Sequence, residues 1–156
     1  QLVLLQYLFH RYFKVPRTFN FLKSIDEDFS KVYELIANFE NYSSYIPGCS
    51  RSELIEKQDE FEIGELEFSF LLRNYLIKSK NTLTENIIKI EQVEGPFNFF
   101  IGEWNISRIK DSETLIKFEA EFELPLLLNN LLPKKLIDRF CEKVIDAFVK
   151  RISKNN

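Results

Sequence analysis

The spacing of apolar positions changes period along the chain, and each change marks a different kind of element. Between residues 26 and 39, apolar side chains recur at three- and four-residue steps: Phe29, Val32, Tyr33, Ile36 and Phe39. This is one face of a helix, which Ser24 or Asp26 can cap. A second short turn is expected over residues 41–45, ended by Pro47. The period then falls to two. Ile116, Phe118, Ala120, Phe122 and Leu124 alternate with Lys117, Glu119, Glu121 and Glu123, which predicts a half-buried strand with one charged face. Phe61 and Ile63 alternate with Glu62, whereas Leu66, Phe68 and Phe70 fall on the opposite parity, so a bulge is predicted near Gly64-Glu65. Weaker alternation predicts strands over residues 18–22, 51–57, 75–83, 87–93 and 99–109, with Asp111-Ser112 turning the last hairpin.

Gly95-Pro96 reverses the chain between two of these strands, and Gly102 inside the next one calls for a bulge or a close approach. The last element is a helix announced by Pro133 in its first turn. Its apolar positions come in pairs four apart: Leu136-Ile137, Phe140-Cys141, Val144-Ile145 and Phe148-Val149, then Ile152. That repeat gives a wide stripe roughly 30 Å long, which needs a sheet to cover it. One helix, about six or seven antiparallel strands and one long amphipathic helix make an α+β order in which the sheet curls around the last helix.

At 156 residues, with no Gly/Ser/Pro-rich linker, the chain reads as a single domain over residues 18–156, preceded by an atypical segment over residues 1–17. Sixteen Phe and no Met make the apolar set bulky and rigid, and 29% charged residues exclude a disordered or membrane-spanning chain. Charge is unevenly placed. Arg11, Lys14, Arg17 and Lys23 have no acidic counterpart in the first 25 residues, while the rest carries 17 basic and 24 acidic residues, a net of −7. An acidic body is unsuited to nucleic acid, which is bound through dense Lys and Arg. The apolar, acid-free start fits the end of a targeting segment, a helix lying on a membrane surface, or an element packed on the domain.

Catalytic chemistry is sparse. The one histidine, His10, has no partner in reach by sequence, and no nucleotide-binding, zinc-protease or nucleophile-elbow motif occurs. Glu119, Glu121 and Glu123 form a row, but at two-residue spacing opposite an apolar face they read as a solvated sheet surface. Cys49 and Cys141 are too few for a disulfide framework, and Cys141 falls within the helical stripe. No catalytic and no metal-binding residue is assigned, and no cofactor is required.

Two stretches carry a resemblance. Asn41-Tyr42-Ser43-Ser44-Tyr45-Ile46-Pro47-Gly48-Cys49 and Ala147-Phe148-Val149-Lys150-Arg151 are similar, in order and spacing, to the coenzyme Q-binding family. That family is a branch of the START-like, polyketide cyclase/lipid-transport superfamily and also includes the bacterial ribosome-association toxin. The likeness spans about residues 26–152. Ser43 stands where the family usually has Pro, and Gly48 where it usually has Trp. The resemblance implies a helix-grip fold with an apolar cavity between sheet and last helix. It further implies a non-enzymatic protein that binds ubiquinone or a related isoprenoid lipid and supports respiratory electron transport as chaperone or carrier. Candidate wall residues are Phe68, Phe70, Phe97, Trp104, Phe118 and Phe122, with Phe140, Val144 and Phe148 from the last helix and Tyr45 and Pro47 at the mouth. Implied partners are the quinone, a peripheral membrane surface and respiratory-chain or quinone-biosynthesis proteins. The implied location is the matrix side of the mitochondrial inner membrane or, alternatively, the bacterial cytoplasm beside the inner membrane. The alternative function is ribosome association, as in the toxin.

Overall fold

The computed structural model describes residues 16–154. The readings made for residues 1–15, His10 and the apolar start included, lie outside the described residues. The elements run β1 (Arg17–Ile25), α1 (Phe29–Ala37), a 3-10 helix (Phe39–Ser44), β2 (Cys49–Lys57), β3 (Glu62–Phe70), β4 (Arg73–Leu83), β5 (Ile87–Glu94), β6 (Phe99–Lys110), β7 (Glu113–Glu123), α2 (Leu126–Leu131) and α3 (Lys134–Lys154). All strand pairs are antiparallel, in the order β1-β7-β6-β5-β4-β3-β2. From β2 to β7 the sheet is a plain meander, and β1 is added across from β7. The curved sheet grips α3, which is the helix-grip fold the pattern predicted.

Differences from the sequence reading are local and have causes. β1 runs on to Ile25, so neither Ser24 nor Asp26 caps α1. Asp28 does, its carboxylate accepting from the Lys31 N–H at 3.1 Å. Phe39 leaves the α-helix and joins the 3-10 helix. The bulge predicted at Gly64-Glu65 lies on the neighbouring strand instead. β3 pairs with β4 in unbroken register from Glu62 to Phe70, while β2 skips a residue between Cys49 and Arg51 and again between Leu54 and Glu56. Gly64 explains the second skip. The Phe39 ring lies on it so closely that a Cβ there would stand 2.5 Å from Phe39 Cε2, so β3 keeps its register and β2 absorbs the extra residue. At Gly102 the ladder is regular, and the close approach is the alternative realised: the Phe100 and Phe118 rings reach within 3.2 Å of where a Cβ would be. The Gly95-Pro96 turn is braced by Gln92, whose side-chain amide donates to Phe97 O at 2.8 Å and accepts from Phe97 N at 3.2 Å. α2 was not predicted, because Leu126-Leu127-Leu128 is a run without period.

The core is double. A main cluster joins Val32 and Ile36 of α1, Phe39, Tyr42 and Ile46, the strand residues Ile88, Trp104, Ile106 and Ile116, and Ile145, Phe148 and Ile152 of α3. A smaller one is built on Phe122, Leu124 and Leu132, with Phe70, Phe97, Phe100, Leu128, Leu136 and Ile137 around it. α3 is therefore tightly closed along its C-terminal half. Leu136, Ile137, Phe140 and Cys141 of its N-terminal half stay half-buried.

Candidate functional site

Cross-strand partners point to the same side of a sheet, so the register reads out the inner wall directly. One row across it is Phe21, Phe118, Trp104, Ile88 and Leu83. The next is Phe19, Ala120, Gly102, Ile90 and Asn81, and a third begins Phe122, Phe100. Ala120 and Gly102 thus form a low stretch between two aromatic rows, roofed by the tips of Phe100 and Phe118. This dip divides the wall residues named from the sequence into two groups.

In the first group, Trp104 lies 4.6 Å from Phe118 and 5.2 Å from Phe148, ring centre to ring centre. Phe148 also meets Tyr42 at 5.1 Å and Tyr45 at 5.7 Å, both edge-on. Phe68 and Val144 pack against the same cluster. In the second group, Phe97 lies 5.6 Å from Phe122, and Phe70 joins them. Phe140 bridges the two, 5.9 Å from Phe68 and 5.2 Å from Phe70. Phe148 at 2% exposure, Trp104 at 4% and Phe122 at 5% are closed off, whereas Phe68, Phe70, Phe97, Phe118, Phe140, Val144 and Tyr45 keep some accessible surface. Pro47 is exposed on the loop between the 3-10 helix and β2. That loop is fastened to the end of β3 by Ser69 N–H donating to Gly48 O at 2.8 Å. Gly48 has φ of +80°, and a Cβ there would lie 3.0 Å from Ser69 O, so a side chain such as Trp would be strained in this loop.

Sequence reasoning missed several polar and aromatic members of the site. Ser79 and Asn81 are buried on the inner face of β4, the Ser79 hydroxyl donating to Asn81 Oδ1 at 3.0 Å. In the sequence they hide within the polar run Lys78-Ser79-Lys80-Asn81, and only the parity set by Leu83 could have placed them inward. Tyr42 was quoted for its resemblance but not named as a wall residue. Its hydroxyl donates to Ile36 O, and burial pushes its pKa well up, with Tyr45 and Cys49 adding to the shift. The Tyr45 hydroxyl is buried without a hydrogen-bond partner, and so is Arg151 Nε. The Arg151 guanidinium lies over the Tyr45 ring at 5.5 Å. Burial raises the Tyr45 pKa, an effect that Arg151 opposes. The thiols are equally quiet: burial raises both, Cys141 to about 11. A separate open groove of about 410 Å³ runs beside the end of α1, lined by Tyr33, Phe39, Leu54 and Leu83 with Lys57 and Glu62 at its rim. None of its lining residues was among the candidate wall residues. Among the described residues no group of three or more His, Cys, Asp or Glu side chains could hold a metal ion.

Residues 25–149 match the family described as polyketide cyclase / dehydrase and lipid transport. The chain belongs to that family. Its START-like fold is shared with the Zhui aromatase/cyclase from Streptomyces sp. R1128, with a TM-score of 0.79 at 15% identity over 90% of this chain and 95% of that one. It is shared also with a START superfamily protein from Mycobacterium smegmatis, with a TM-score of 0.76 at 13% identity over 89% and 99%. At such identities the likeness speaks for the fold alone. Among sequence relatives, the ribosome association toxin RatA of Escherichia coli K12 is 25% identical over 122 residues, 78% of this chain and 77% of that protein. The Rickettsia prowazekii RatA is also 25% identical, over 126 residues, 78% of this chain and 86% of that protein. The family's description names both cyclase/dehydrase chemistry and lipid transport, so membership by itself assigns no reaction.

Proposed function

We propose that this protein is a non-enzymatic lipid carrier whose ligand is ubiquinone or a closely related prenylated lipid. The observation that carries the reading is the inner wall: two aromatic rows flank the Ala120–Gly102 dip, and α3 leaves Leu136, Ile137 and Phe140 half-buried beside it. An isoprenoid tail is apolar and branched, and it gains from such a wall by area burial and ring contacts. Turning the Phe100 and Phe118 rings off Gly102 would open the dip to the tail. Asn81 then supplies what a quinone head needs: with its Oδ1 held by the Ser79 hydroxyl, its amide NH2 is turned to donate to a carbonyl oxygen in an otherwise apolar wall. Its role is to hold or hand over the quinone for respiratory electron transport, in contact with quinone-biosynthesis or respiratory-chain proteins. Of the two locations the resemblance implies, the bacterial sources of the relatives favour the cytoplasm beside the inner membrane over the mitochondrial matrix side.

Organic extraction of protein purified from a quinone-producing host, followed by mass spectrometry, tests this. A prenylated quinone above control level is expected, reduced in an Asn81→Leu variant. Its absence, with only detergent recovered, overturns the reading. The second reading, ribosome association, is favoured by the RatA relatives and opposed by the acidic body. Co-migration with ribosomes on a sucrose gradient, retained at high salt, would decide for it.

A further inference from the structure

The β3–β4 hairpin turns on two leucines in the wrong conformation for leucine. Phe70 pairs directly with Arg73, so Leu71 and Leu72 alone form the turn, at φ of +47° and +62°. A two-residue turn with both φ positive is the niche of Asn-Gly, and L-residues with a full side chain adopt it at a cost. Neither leucine recovers that cost in packing: Leu71 is 53% exposed and Leu72 is fully exposed. Leucines that stabilise nothing within the chain point to a use outside it.

They are not isolated. α2 exposes Leu126, Leu127 and Leu131, while its Leu128 packs in the smaller core cluster together with Phe70, the residue just before the turn. The strand registers put the hairpin tip, the turn at residues 95–98 and the start of β1 at one end of the sheet. α2 is fixed there too, because the Arg17 guanidinium donates to Leu132 O at 2.8 Å and to Asn129 O at 3.1 Å. Charge at this end runs against the acidic body. Arg73 directly follows the turn, Lys134, Lys135 and Arg139 lie in the first two turns of α3 just after α2, and carboxylates at this end are engaged. Glu94 pairs with Lys78 at 3.7 Å, Asp138 pairs with Lys134 at 2.5 Å, and Glu123 accepts from Asn98 Nδ2 at 2.7 Å. In the sequence, the residues before Arg17 include Arg11 and Lys14 and no acidic residue. Projecting leucines ringed by cations are the two signals that together hold a protein at an anionic bilayer, apolar insertion plus headgroup attraction.

We infer that the end bearing Leu71, Leu72, Leu126, Leu127 and Leu131 docks on an anionic lipid bilayer, the hairpin tip and α2 inserting and Arg73, Lys135 and Arg139 meeting the headgroups. The smaller cluster behind them is the part of the core next to the half-buried start of α3, so docking brings the bilayer to the loosest side of the grip.

The test is co-sedimentation of the full chain with vesicles of phosphatidylcholine alone and of phosphatidylcholine and phosphatidylglycerol in equal parts. Binding is expected on the mixed vesicles and is expected to weaken with salt. Leu71→Asn/Leu72→Gly gives the turn the residues it favours, so its melting temperature should hold or rise while its vesicle affinity falls about tenfold or more. Leu127→Glu should lose affinity similarly at unchanged stability. Three results would each overturn the inference. One is both variants sedimenting like the parent. Another is equal binding to neutral vesicles that ignores salt. The last is a concentration-dependent dimer, abolished by the turn variant, from a protein that binds no vesicles, which would mean a second copy covers the leucines. Docking here does not require a quinone inside, nor a quinone docking, so extraction and sedimentation fail independently.

Discussion

Phe148 is the residue through which the grip of sheet on helix can be weighed. It sits on α3 at 2% exposure with three rings around it, Tyr42 at 5.1 Å, Trp104 at 5.2 Å and Tyr45 at 5.7 Å. Phe148→Ala removes a benzyl group that no neighbour can replace, since the facing rings belong to a strand, a 3-10 helix and the residue after it. Core Phe→Ala changes cost about 3 to 5 kcal/mol, and the loss of three ring contacts puts this one near the upper end. Against a total stability of about 5 to 15 kcal/mol, that is about a third or more of the whole. At about 2 to 4 °C per kcal/mol for a domain of this size, the melting temperature should fall by roughly 8 to 20 °C. Phe140→Ala is the internal control. Its ring partners among the described residues are Phe68 and Phe70, and it is half-buried, so it should cost less than half as much. Urea unfolding followed by far-ultraviolet circular dichroism measures both, free of the change in Trp104 emission that the loss of Phe148 itself causes. If Phe148→Ala costs no more than Phe140→Ala, Phe148 borders open space, and the closed C-terminal half of the grip is wrong.

Gly64→Ala should cost about 1 to 3 kcal/mol, because its methyl group would overlap the Phe39 ring, and Phe39→Leu in the same chain should recover part of the loss; a neutral Gly64→Ala in urea unfolding would remove this contact as the reason for the bulge in β2. Stability should begin to fall above about pH 9, where the thiols of Cys49 and Cys141 have pKa values raised by burial, and fall more steeply above about pH 10, as buried Tyr42 and Tyr45 have pKa values raised above that of an unfolded tyrosine. The sign follows because the folded state holds both phenols neutral: the contribution is complete below the unfolded pKa and is lost as the pH rises toward the folded ones. Thermal melts at increasing pH check this, and a Tyr42→Phe/Tyr45→Phe variant with the same alkaline decline would refute the assignment.

The strands were legible wherever one face meets solvent and the other the helix, as at residues 116–124, since alternation there records burial directly. The chain was also legible as a helix-grip protein from element order, because a five-turn apolar stripe has few other partners than a curved sheet. What failed has a common physical origin in contacts made across the sequence. Asp28 caps α1 rather than Asp26 because β1 pairs with β7 as far as Ile25 and Thr114, which nothing local announces. The bulge moved to β2 because Phe39 presses on Gly64. Of the candidate site, the aromatic residues that the resemblance implied do mostly face inward, but Ala120 beside Gly102 divides them, and small residues on a strand look alike whether they leave room or merely tolerate crowding. Ser79 and Asn81 were invisible in a polar run with Lys78 and Lys80.

The pairing of β1 with β7 joins residues 89 to 105 positions apart, Ile25 with Thr114 at one end and Arg17 with Phe122 at the other. Every other pairing in the sheet is a hairpin that can zip as soon as its two strands exist. During synthesis β1 leaves the ribosome first yet has nothing to pair with until nearly the whole domain has followed, so Phe19 and Phe21 remain in water through that interval. The same delay leaves β7 as a bare edge beside the meander once it forms, open to the strand of another molecule. Arg17 ends this exposure from both directions, since its backbone completes the ladder opposite Phe122 while its guanidinium fastens the carbonyls of Asn129 and Leu132. Closing the domain is thus a single late event in which the first strand and the last helices are locked together.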